Sequence, residues 1–405
     1  MFVAGAGMTP FRKSPGSTLS GLACEATRAA LADATMPVGC VGMVFFGNAM
    51  AATMTGQEMI RAQAALRDTG LLGTPMVSVE NACASSSSAA HLAWLAVASG
   101  QVEVALAVGA EKMTSDDRTR ALRGLASAVD LERVAELEEE IHGVAGDRAP
   151  TDRSLFMDVY ADMARRYMAR SGATAADFAR VAVKNHRHGA LNPDAQYRTA
   201  VTVEEVLGSR VVSDPLTLLM CSPIGDGAAA VVLCSADVAR SIEVPAVRVL
   251  ASVLVSGVRG PRRRSAVERA AEGAFHAAGV GPADVDVAEV HDGAAPAELV
   301  LYEEIGLCGP GEAVTLLGEG ATGLGGRVPV NVSGGLLSRG HPVGATGCAQ
   351  LVEITRQLRG EAGARQVEGA RIGLAENGGG YLGPDPAAVV VTILAAGRAG
   401  RRSPR

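Results

Sequence analysis

Cys83 lies in a stretch whose residue types could perform nucleophilic chemistry. The β-branched residues Val77 and Val79 precede it, Asn81 favours a turn, and a run of small residues from Ala84 to Ala90 follows. This order predicts a strand, a tight turn and a helix, with Cys83 at or near the helix start. The N-terminal end of a helix carries partial positive charge, so we expect it to lower the pKa of the thiol and favour the thiolate. The alternative is a small buried apolar residue without chemistry.

Composition excludes several classes of protein. The 405 residues carry a net charge of −6, which gives no general basic surface for nucleic acid. A hydrophobic content of 48% excludes a disordered chain. No apolar run reaches the roughly 18 residues of a membrane span, and Met1–Gly5 leads into a predicted strand without the pattern of a signal peptide. The seven cysteines lack CxxC spacing, which predicts reduced cytoplasmic thiols and no metal site; they are Cys24, Cys40, Cys83, Cys221, Cys234, Cys308 and Cys348.

The elements that must position Cys83 alternate along the chain. Short apolar runs and amphipathic helical windows follow one another, which predicts an α/β fold with sheets packed between helices. The second half repeats the first: the strand pattern of Val285–Asp292 corresponds to Val41–Asn48, and Val328–Gly335 corresponds to the strand entering Cys83. Such a repeat predicts two similar subdomains with a site where they meet. We predict an N-terminal half at 1–237 with a charge-rich loop domain inserted at about 112–209, a C-terminal half at 238–396, and a flexible basic tail at 397–405.

A glycine-rich segment in the second half carries a family resemblance. Residues 340–347 read Gly-His-Pro-Val-Gly-Ala-Thr-Gly, and together with Cys83 this segment resembles the thiolase superfamily. Glu289–Asp292, Lys184–His186 and Asn192–Gln196 are similar to the lipid-transfer-type branch, which includes the thiolase part of sterol carrier protein x. The resemblance runs from about residue 3 to 395. It implies the thiolase fold: two βαβαβαββ halves in five αβαβα layers, a loop domain over the substrate, and a homodimer.

The resemblance also implies roles for individual residues. Cys83 would be the nucleophile that takes up an acyl group, and His341 would be the general base that activates it. His291 matches the position that lines the second oxyanion site; its alternative role is a strand-end histidine paired with Asp292. Backbone N–H groups in the last glycine loop would hold the oxyanion; the glycines of that loop are Gly378, Gly379 and Gly380.

The sequence departs from the family pattern at the second catalytic cysteine. Most thiolases place this acid/base at the start of the last glycine loop, where this chain has Glu376. The sterol-carrier branch places it after the His-Asp pair, where this chain has Gly293. Glu376 could substitute as the base if burial raises its pKa, or it could be a structural carboxylate that binds backbone N–H groups.

Several functions therefore stay open. The main prediction is an acyl-CoA acyltransferase with a ping-pong mechanism through an acyl-Cys83 intermediate. The alternatives are acyl transfer to an acceptor that needs no α-deprotonation, retro-aldol cleavage of a steroid or lipid acyl-CoA, and a non-catalytic acyl-CoA-binding subunit. The aldol chemistry would use tyrosines, for which Tyr302 and Tyr381 are candidates. The joint presence of Cys83, His341 and His291 favours acyl transfer.

The expected ligand is a coenzyme A thioester, used as substrate and not as a permanently bound cofactor. We predict that the loop domain covers the bound CoA thioester. Four basic side chains are candidates for binding the CoA phosphates; these are Lys184, Arg187, Arg262 and Arg263. The family resemblance further implies a homodimer and allows a small OB-fold partner protein.

Overall fold

A computed structural model provides the structure of the chain and describes residues 1–142, 154–258, 264–383 and 385–397. Arg262, Arg263 and the predicted basic tail from residue 398 onwards lie outside the described residues. The strands are β1 Phe2–Met8, β2 Met43–Gly47, β3 Met76–Val79, β4 Val104–Glu111, β5 Val211–Ser213, β6 Leu216–Thr217, β7 Gly227–Cys234, β8 Val247–Ser256, β9 Val287–Glu289, β10 Ile372–Gly379 and β11 Ala388–Ala395.

Helices connect and cover these strands. They are α1 Leu19–Asp33, α2 Ala51–Thr55, α3 Arg61–Leu66, α4 Ser85–Ala98, α5 Arg118–Ala126, α6 Val134–His142, α7 Leu155–Ser171, α8 Ala175–Ala190, α9 Val203–Gly208, α10 Ala236–Ser241, α11 Ala266–Ala278, α12 Ala295–Glu304, α13 Ala313–Gly318, α14 Gly335–Ser338 and α15 Thr346–Arg359. No helix in the described ranges is both long and apolar enough to cross a membrane.

Nine strands follow one another in the order β3-β2-β4-β7-β1-β8-β11-β10-β9. The N-terminal half supplies β3 to β1 and the C-terminal half supplies β8 to β9. The halves meet where β1 pairs with β8 at only two positions, Phe2 with Arg248 and Val3 with Val247. Within each half, parallel and antiparallel pairs are mixed.

The strands are buried on both faces, which produces the five layers. Along β7, Ala228, Ala230 and Val232 pack with α1 in one core, while Ala229 and Val231 pack with α4 and α15 in another. This alternation is the period of two of a β-strand. On the far side, α11 packs against β8 and β11 in a third core. The layer order is therefore α1, N-terminal strands, α4 with α15, C-terminal strands, α11, as predicted.

The central helices α4 and α15 bring the two halves of the site together. Small residues at their starts permit close contact: a Cβ atom at Gly347 would lie 2.5 Å from Ser87 N. The Cys348 N–H donates to Ser86 Oγ at 3.0 Å. The loops that precede α4 and α15 are consequently neighbours in space. They carry Cys83 and His341.

The loop domain lies between β4 and β7 and contains α5 to α9 with the short hairpin β5-β6. Its helices α7 and α8 pack against α12 of the C-terminal half. One strand predicted for the C-terminal half is absent as a strand: the segment around Val330 makes only an isolated bridge to Ala288. Pro329 has no N–H to donate, and Asn331 adopts φ 55°, so the ladder cannot extend in either direction.

Candidate active site

Cys83 lies in a 3-10 turn, Ala82–Ala84, between the end of β3 and the start of α4. Ala82 adopts φ 48°, a left-handed conformation that costs a non-glycine residue of order 1–3 kcal/mol. Side chains fix the turn: the Ala82 N–H donates to Glu80 Oε1 at 2.6 Å, and the Asn81 N–H donates to Ser85 Oγ at 3.0 Å. The sequence prediction of a cysteine just before a helix agrees with this position.

His341 lies in the loop between α14 and α15, and a buried carboxylate holds that loop. Glu111, at the end of β4, accepts hydrogen bonds from the N–H groups of Ala49, Met50 and Gly344 at 2.9 to 3.1 Å. A Cβ atom at Gly344 would lie 2.7 Å from Glu111 Oε2, so glycine is needed for this approach. Glu111 therefore connects the N-terminal half to the loop of His341.

Cys83 and His341 form a direct pair. His341 Nε2 lies 3.3 Å from Cys83 Sγ, and His341 Nδ1 lies 2.7 Å from Thr346 Oγ1. The Thr346 hydroxyl donates to the Pro342 carbonyl at 3.1 Å, so it accepts a hydrogen bond from Nδ1–H. This fixes the tautomer: Nε2 carries the lone pair and faces the thiol. The arrangement can accept the thiol proton.

Both members of the pair are neutral at physiological pH. Burial and, to a smaller extent, the negative charge of Glu111 raise the pKa of Cys83 to about 12. Burial lowers the pKa of His341 well below its ordinary value, and the neighbouring His291 and Arg339 lower it further. The expectation that the helix start favours a thiolate is therefore wrong for the unliganded site. The desolvation of Cys83 outweighs the stabilisation that nearby N–H groups give to the charged sulfur.

Alkylation should report this neutral state. We expect the rate of Cys83 alkylation by iodoacetamide to rise about tenfold per pH unit from pH 7 to pH 10, because this reagent reacts with thiolate that is already formed, and the thiolate fraction grows in that proportion below the pKa. Peptide mapping would measure the rate, with exposed Cys40 as an internal control for complete reaction. N-acetylcysteine, which reacts outside any protein, corrects for the chemistry of the reagent. A plateau for Cys83 below pH 8 would contradict the prediction.

His291 follows β9 and stands beside the pair, with its ring centroid 5.2 Å from that of His341. Asn377 Nδ2 donates to His291 Nδ1 at 2.9 Å, which leaves the proton on Nε2. Burial lowers the pKa of His291 to about 4, so the ring is neutral. Asp292 does not pair with the His291 ring. The Asp292 carboxylate instead accepts a hydrogen bond from the Leu336 N–H at 2.7 Å.

Ligand atoms of Cys83, His291 and His341 all lie within 4.8 Å of one another, a spacing that could hold a metal ion. Both ring nitrogens of His341 already have partners, Cys83 Sγ and Thr346 Oγ1. The arrangement is accounted for by proton transfer between the cysteine and the histidine. The absence of a metal site stays a prediction.

The last glycine loop closes over the cysteine turn. A Cβ atom at Gly379 would lie 2.1 Å from Asn81 O and 2.5 Å from Ala84 N, so only glycine fits there. Gly380 adopts φ 65°, which also favours glycine. The backbone N–H groups of Gly380 and of Cys83 itself lower the pKa of the Cys83 thiol, because they point towards its sulfur. Two backbone donors therefore converge on the Cys83 sulfur.

A cavity of about 120 Å³ leads to Cys83. Helices α7, α11 and α12 supply its largely apolar wall, and His291, Glu376 and the glycine loop supply the polar groups. Such a combination is typical of small-molecule sites. The apolar residues of the wall are Phe156, Val159, Met163, Val267, Ala297, Val300 and Leu301.

Glu376 lies on β10 and is almost completely buried. Its Oε2 accepts a hydrogen bond from the backbone N–H of His291 at 2.9 Å. Burial raises the pKa of Glu376 to about 8, although that hydrogen bond opposes the rise. The carboxyl group thus holds the backbone of His291 and also faces the cavity.

The structure does not bring the described CoA candidates to this cavity. Lys184 is buried in α8, where its Nζ lies 2.8 Å from Glu298 Oε1 and donates to the Val330 carbonyl at 2.7 Å. A buried ion pair of this type is structural, since a phosphate could reach Lys184 only by displacing Glu298. Arg187 is exposed on the same helix and does not line the cavity.

Sequence reasoning did not identify four residues that the structure adds to the site. Thr346 follows His341 by five residues in the same motif, so the motif contained a signal for it. Asn377, next to Glu376, had a similar local signal. No local sequence signal pointed to Glu111 or Tyr160, because each reaches the site through a contact between distant parts of the chain.

Two family models of known proteins match this chain, one in each half. The family model for the thiolase N-terminal domain matches residues 1–237, and the model for the thiolase C-terminal domain-like family matches residues 256–393. The chain belongs to the thiolase family. It is a thiolase-type acyltransferase, and its relatives fit the predicted lipid-transfer branch.

The relatives of this thiolase are similar over most of their length. An acetyl-CoA acetyltransferase of Methanothermobacter thermautotrophicus is 41% identical over 94% of the chain and 96% of the relative. Sterol carrier protein 2 of Gallus gallus is 36% identical over 100% of the chain and 73% of the relative. The solved Ltp2-ChsH2(DUF35) aldolase superposes with a TM-score of 0.80 at 29% identity, covering 98% of both chains.

Proposed function

We propose that this thiolase transfers acyl groups from coenzyme A thioesters through a covalent intermediate on Cys83. The observation that carries the proposal is the 3.3 Å contact between Cys83 Sγ and the unprotonated Nε2 of His341. A neutral thiol is a weak nucleophile, and an adjacent base with the correct tautomer can activate it as the thioester arrives.

The first half-reaction follows from this geometry. His341 Nε2 takes the thiol proton as Cys83 Sγ bonds to the thioester carbonyl carbon. The oxygen then carries negative charge, which the N–H groups of Cys83 and Gly380 would stabilise. The tetrahedral intermediate collapses, the CoA sulfur leaves with the proton from His341, and the acyl group stays on Cys83. In the second half-reaction an acceptor takes the acyl group; where that acceptor is an acyl-CoA carbanion, the Nε2–H of His291 would stabilise its enolate oxygen.

Intact-protein mass spectrometry tests the intermediate. We expect the protein mixed with acetyl-CoA or a longer acyl-CoA to gain the mass of one acyl group, which tryptic mapping places on Cys83. An adduct mapped to another residue would contradict the role of Cys83. Failure to form an adduct with a series of acyl-CoA esters would favour the alternatives of an aldolase or a non-catalytic binding subunit.

The aldolase alternative depends on tyrosines, and the structure separates the two candidates. Tyr302 is fully buried and donates its hydroxyl hydrogen bond to Glu298, away from the cavity. Tyr381 lines the cavity. The activated Cys83–His341 pair has no role in retro-aldol cleavage, so it favours acyl transfer.

Glu376 is better explained as a positioning carboxylate than as the missing base. Gln at this position can still accept the His291 N–H, so we expect Glu376→Gln to slow deuterium exchange at the α-carbon of acetyl-CoA by less than about threefold. A structural role would show instead as a small change in thermal stability. A loss of exchange of about a hundredfold, with Cys83 acylation intact, would establish Glu376 as the base.

We also propose a homodimer formed along β3. This strand is at the edge of the sheet and has backbone groups free to pair with a second copy. Large apolar side chains are exposed around it, which is typical of an interface: Met59, Ile60, Leu72 and Val77. A single-chain mass in light scattering would contradict this proposal.

The OB-fold partner and the cytoplasmic location stay predictions. The similar Ltp2-ChsH2(DUF35) aldolase is named with two components.

A further inference from the structure

Gly293 has no room for a side chain because Tyr160 occupies the space. A Cβ atom at Gly293 would lie 2.2 Å from the Tyr160 hydroxyl oxygen and 2.7 Å from its Cζ. These distances are far below a normal contact. Gly293 stands directly after His291-Asp292, the position at which the sequence pattern of the branch calls for a second cysteine. A hydroxyl from α7 therefore fills the volume that this missing side chain would use.

Tyr160 also faces the reaction site. It lines the same cavity as Cys83, His291 and Glu376. Among the described residues its hydroxyl has no hydrogen-bond partner. Burial raises the pKa of Tyr160, and the nearby Cys83 and Glu376 raise it further, which keeps the hydroxyl protonated before reaction.

The position of Tyr160 is built into the packing of the loop domain. The α7 helix begins at Leu155 with Ser154 as its N-cap and packs against α12. Tyr160 itself packs at the border of the C-terminal core. The ring consequently approaches Gly293 from the loop-domain side, while Cys83 lines the cavity from the start of the central helix α4. The hydroxyl and the thiol therefore belong to one cavity but come from different layers of the fold.

We propose that Tyr160 is the acid/base for carbon–carbon bond cleavage and formation in this thiolase, in place of the absent second cysteine. The proposal deepens the proposed function and rests on it for the acyl-Cys83 step. It assigns a 3-oxoacyl-CoA as the substrate class in the cleavage direction and two acyl-CoA molecules in the synthetic direction.

The proton balance of the cleavage direction is complete. His341 takes the Cys83 proton, Sγ bonds to the 3-keto carbon, and the bond between carbons 2 and 3 breaks with its electron pair on carbon 2. Tyr160 gives its proton to carbon 2, which releases acetyl-CoA and leaves a tyrosinate. The proton held by His341 then returns to the tyrosinate. When the sulfur of a second CoA bonds to the acyl carbon, His341 takes the proton of its thiol and gives it to the Cys83 sulfur as the bond from that carbon to Cys83 breaks.

Two measurements distinguish the role of Tyr160 from the role of Cys83. One is deuterium uptake at the α-carbon of acetyl-CoA in D₂O, which requires the acid/base alone. The other is the acyl adduct on Cys83, which does not require it. We expect Tyr160→Phe to slow deuterium uptake by about a hundredfold or more and to change the rate of adduct formation by less than about threefold. Tyr197→Phe is the matched control outside the cavity and should change neither readout.

A double variant tests the shared space directly. Tyr160→Ala removes the ring, and Gly293→Cys in the same chain places a thiol in the vacated volume. We expect this double variant to exchange at least about tenfold faster than Tyr160→Phe, since a thiol at this point is a competent acid/base. Thermal denaturation of each variant confirms that it folds.

Three outcomes would decide against one or both proposals. Deuterium uptake by Tyr160→Phe within threefold of the unmodified protein overturns the role of Tyr160, as does a complete lack of uptake by the unmodified protein. Uptake that needs Tyr160 without any acyl adduct on Cys83 overturns the acyl-enzyme proposal and supports the role of Tyr160. The failure of one proposal is thus distinguishable from the failure of the other.

Discussion

Cys83→Ala is expected to form no acyl adduct and to lose acyl transfer by at least about 10⁴-fold, because no covalent intermediate can form without the sulfur. The turn that holds residue 83 is fixed by its neighbours: Glu80 and Ser85 accept the backbone N–H groups of Ala82 and Asn81. The variant should therefore fold, with a cost of about 1 kcal/mol for a small side chain. Intact-protein mass spectrometry and steady-state release of CoA are the measurements.

Cys348→Ala is the matched control for this variant. Cys348 is also buried at the start of a central helix, α15, and its S–H contacts the Ser86 carbonyl at 3.5 Å. It has no place in the cavity, so its variant should keep the adduct on Cys83 and most of the activity. Activity retained by Cys83→Ala, or an adduct lost in Cys348→Ala, would move the nucleophile away from Cys83.

His341→Ala is expected to slow acylation of Cys83 by about 10²- to 10⁴-fold at pH 7. The reason is the pKa of Cys83, which burial raises to about 12. Without a base within reach, only the very small thiolate fraction reacts. The acylation rate of this variant should consequently rise about tenfold per pH unit from pH 7 to pH 10, whereas the unmodified pair should be much less dependent on pH. Stopped-flow detection of released CoA gives both profiles.

Thr346→Val isolates the contribution of the tautomer. Valine has the same shape but removes the acceptor of His341 Nδ1–H, so the ring can adopt the tautomer with the proton on Nε2. We expect a smaller loss than in His341→Ala, of about tenfold. His91→Ala is the control for a histidine on α4 outside the cavity, where its Nδ1 lies 3.0 Å from Ser252 Oγ. Equal losses in His341→Ala and His91→Ala would indicate a general effect on folding and not a base.

Much of the fold was accessible from sequence because its signals are local. The alternation of strand and helix patterns predicted the layers, and the internal repeat predicted the two halves that meet at α4 and α15. The segment Val328–Gly335, predicted to correspond to the strand entering Cys83, lies parallel to β9 but forms a single bridge and not a strand. Its pattern did not reveal that Asn331 leaves the extended conformation at φ 55°. Lys184 was predicted to bind phosphate, and its ion pair with Glu298 joins residues too far apart in the chain to be paired by pattern.

The sequence by itself determined the family, the thiol at the start of α4 and the histidine that faces it, because residue type and spacing encode these features within short motifs. Only the tertiary structure decided the charge state of the pair. The pKa of Cys83 depends on how completely the surrounding layers remove water and on Glu111, which reaches the site from another strand. The same holds for Tyr160 and Gly293: their contact exists only because α7 packs over the C-terminal half. Desolvation and contacts between distant segments are properties of packing, which no local pattern specifies.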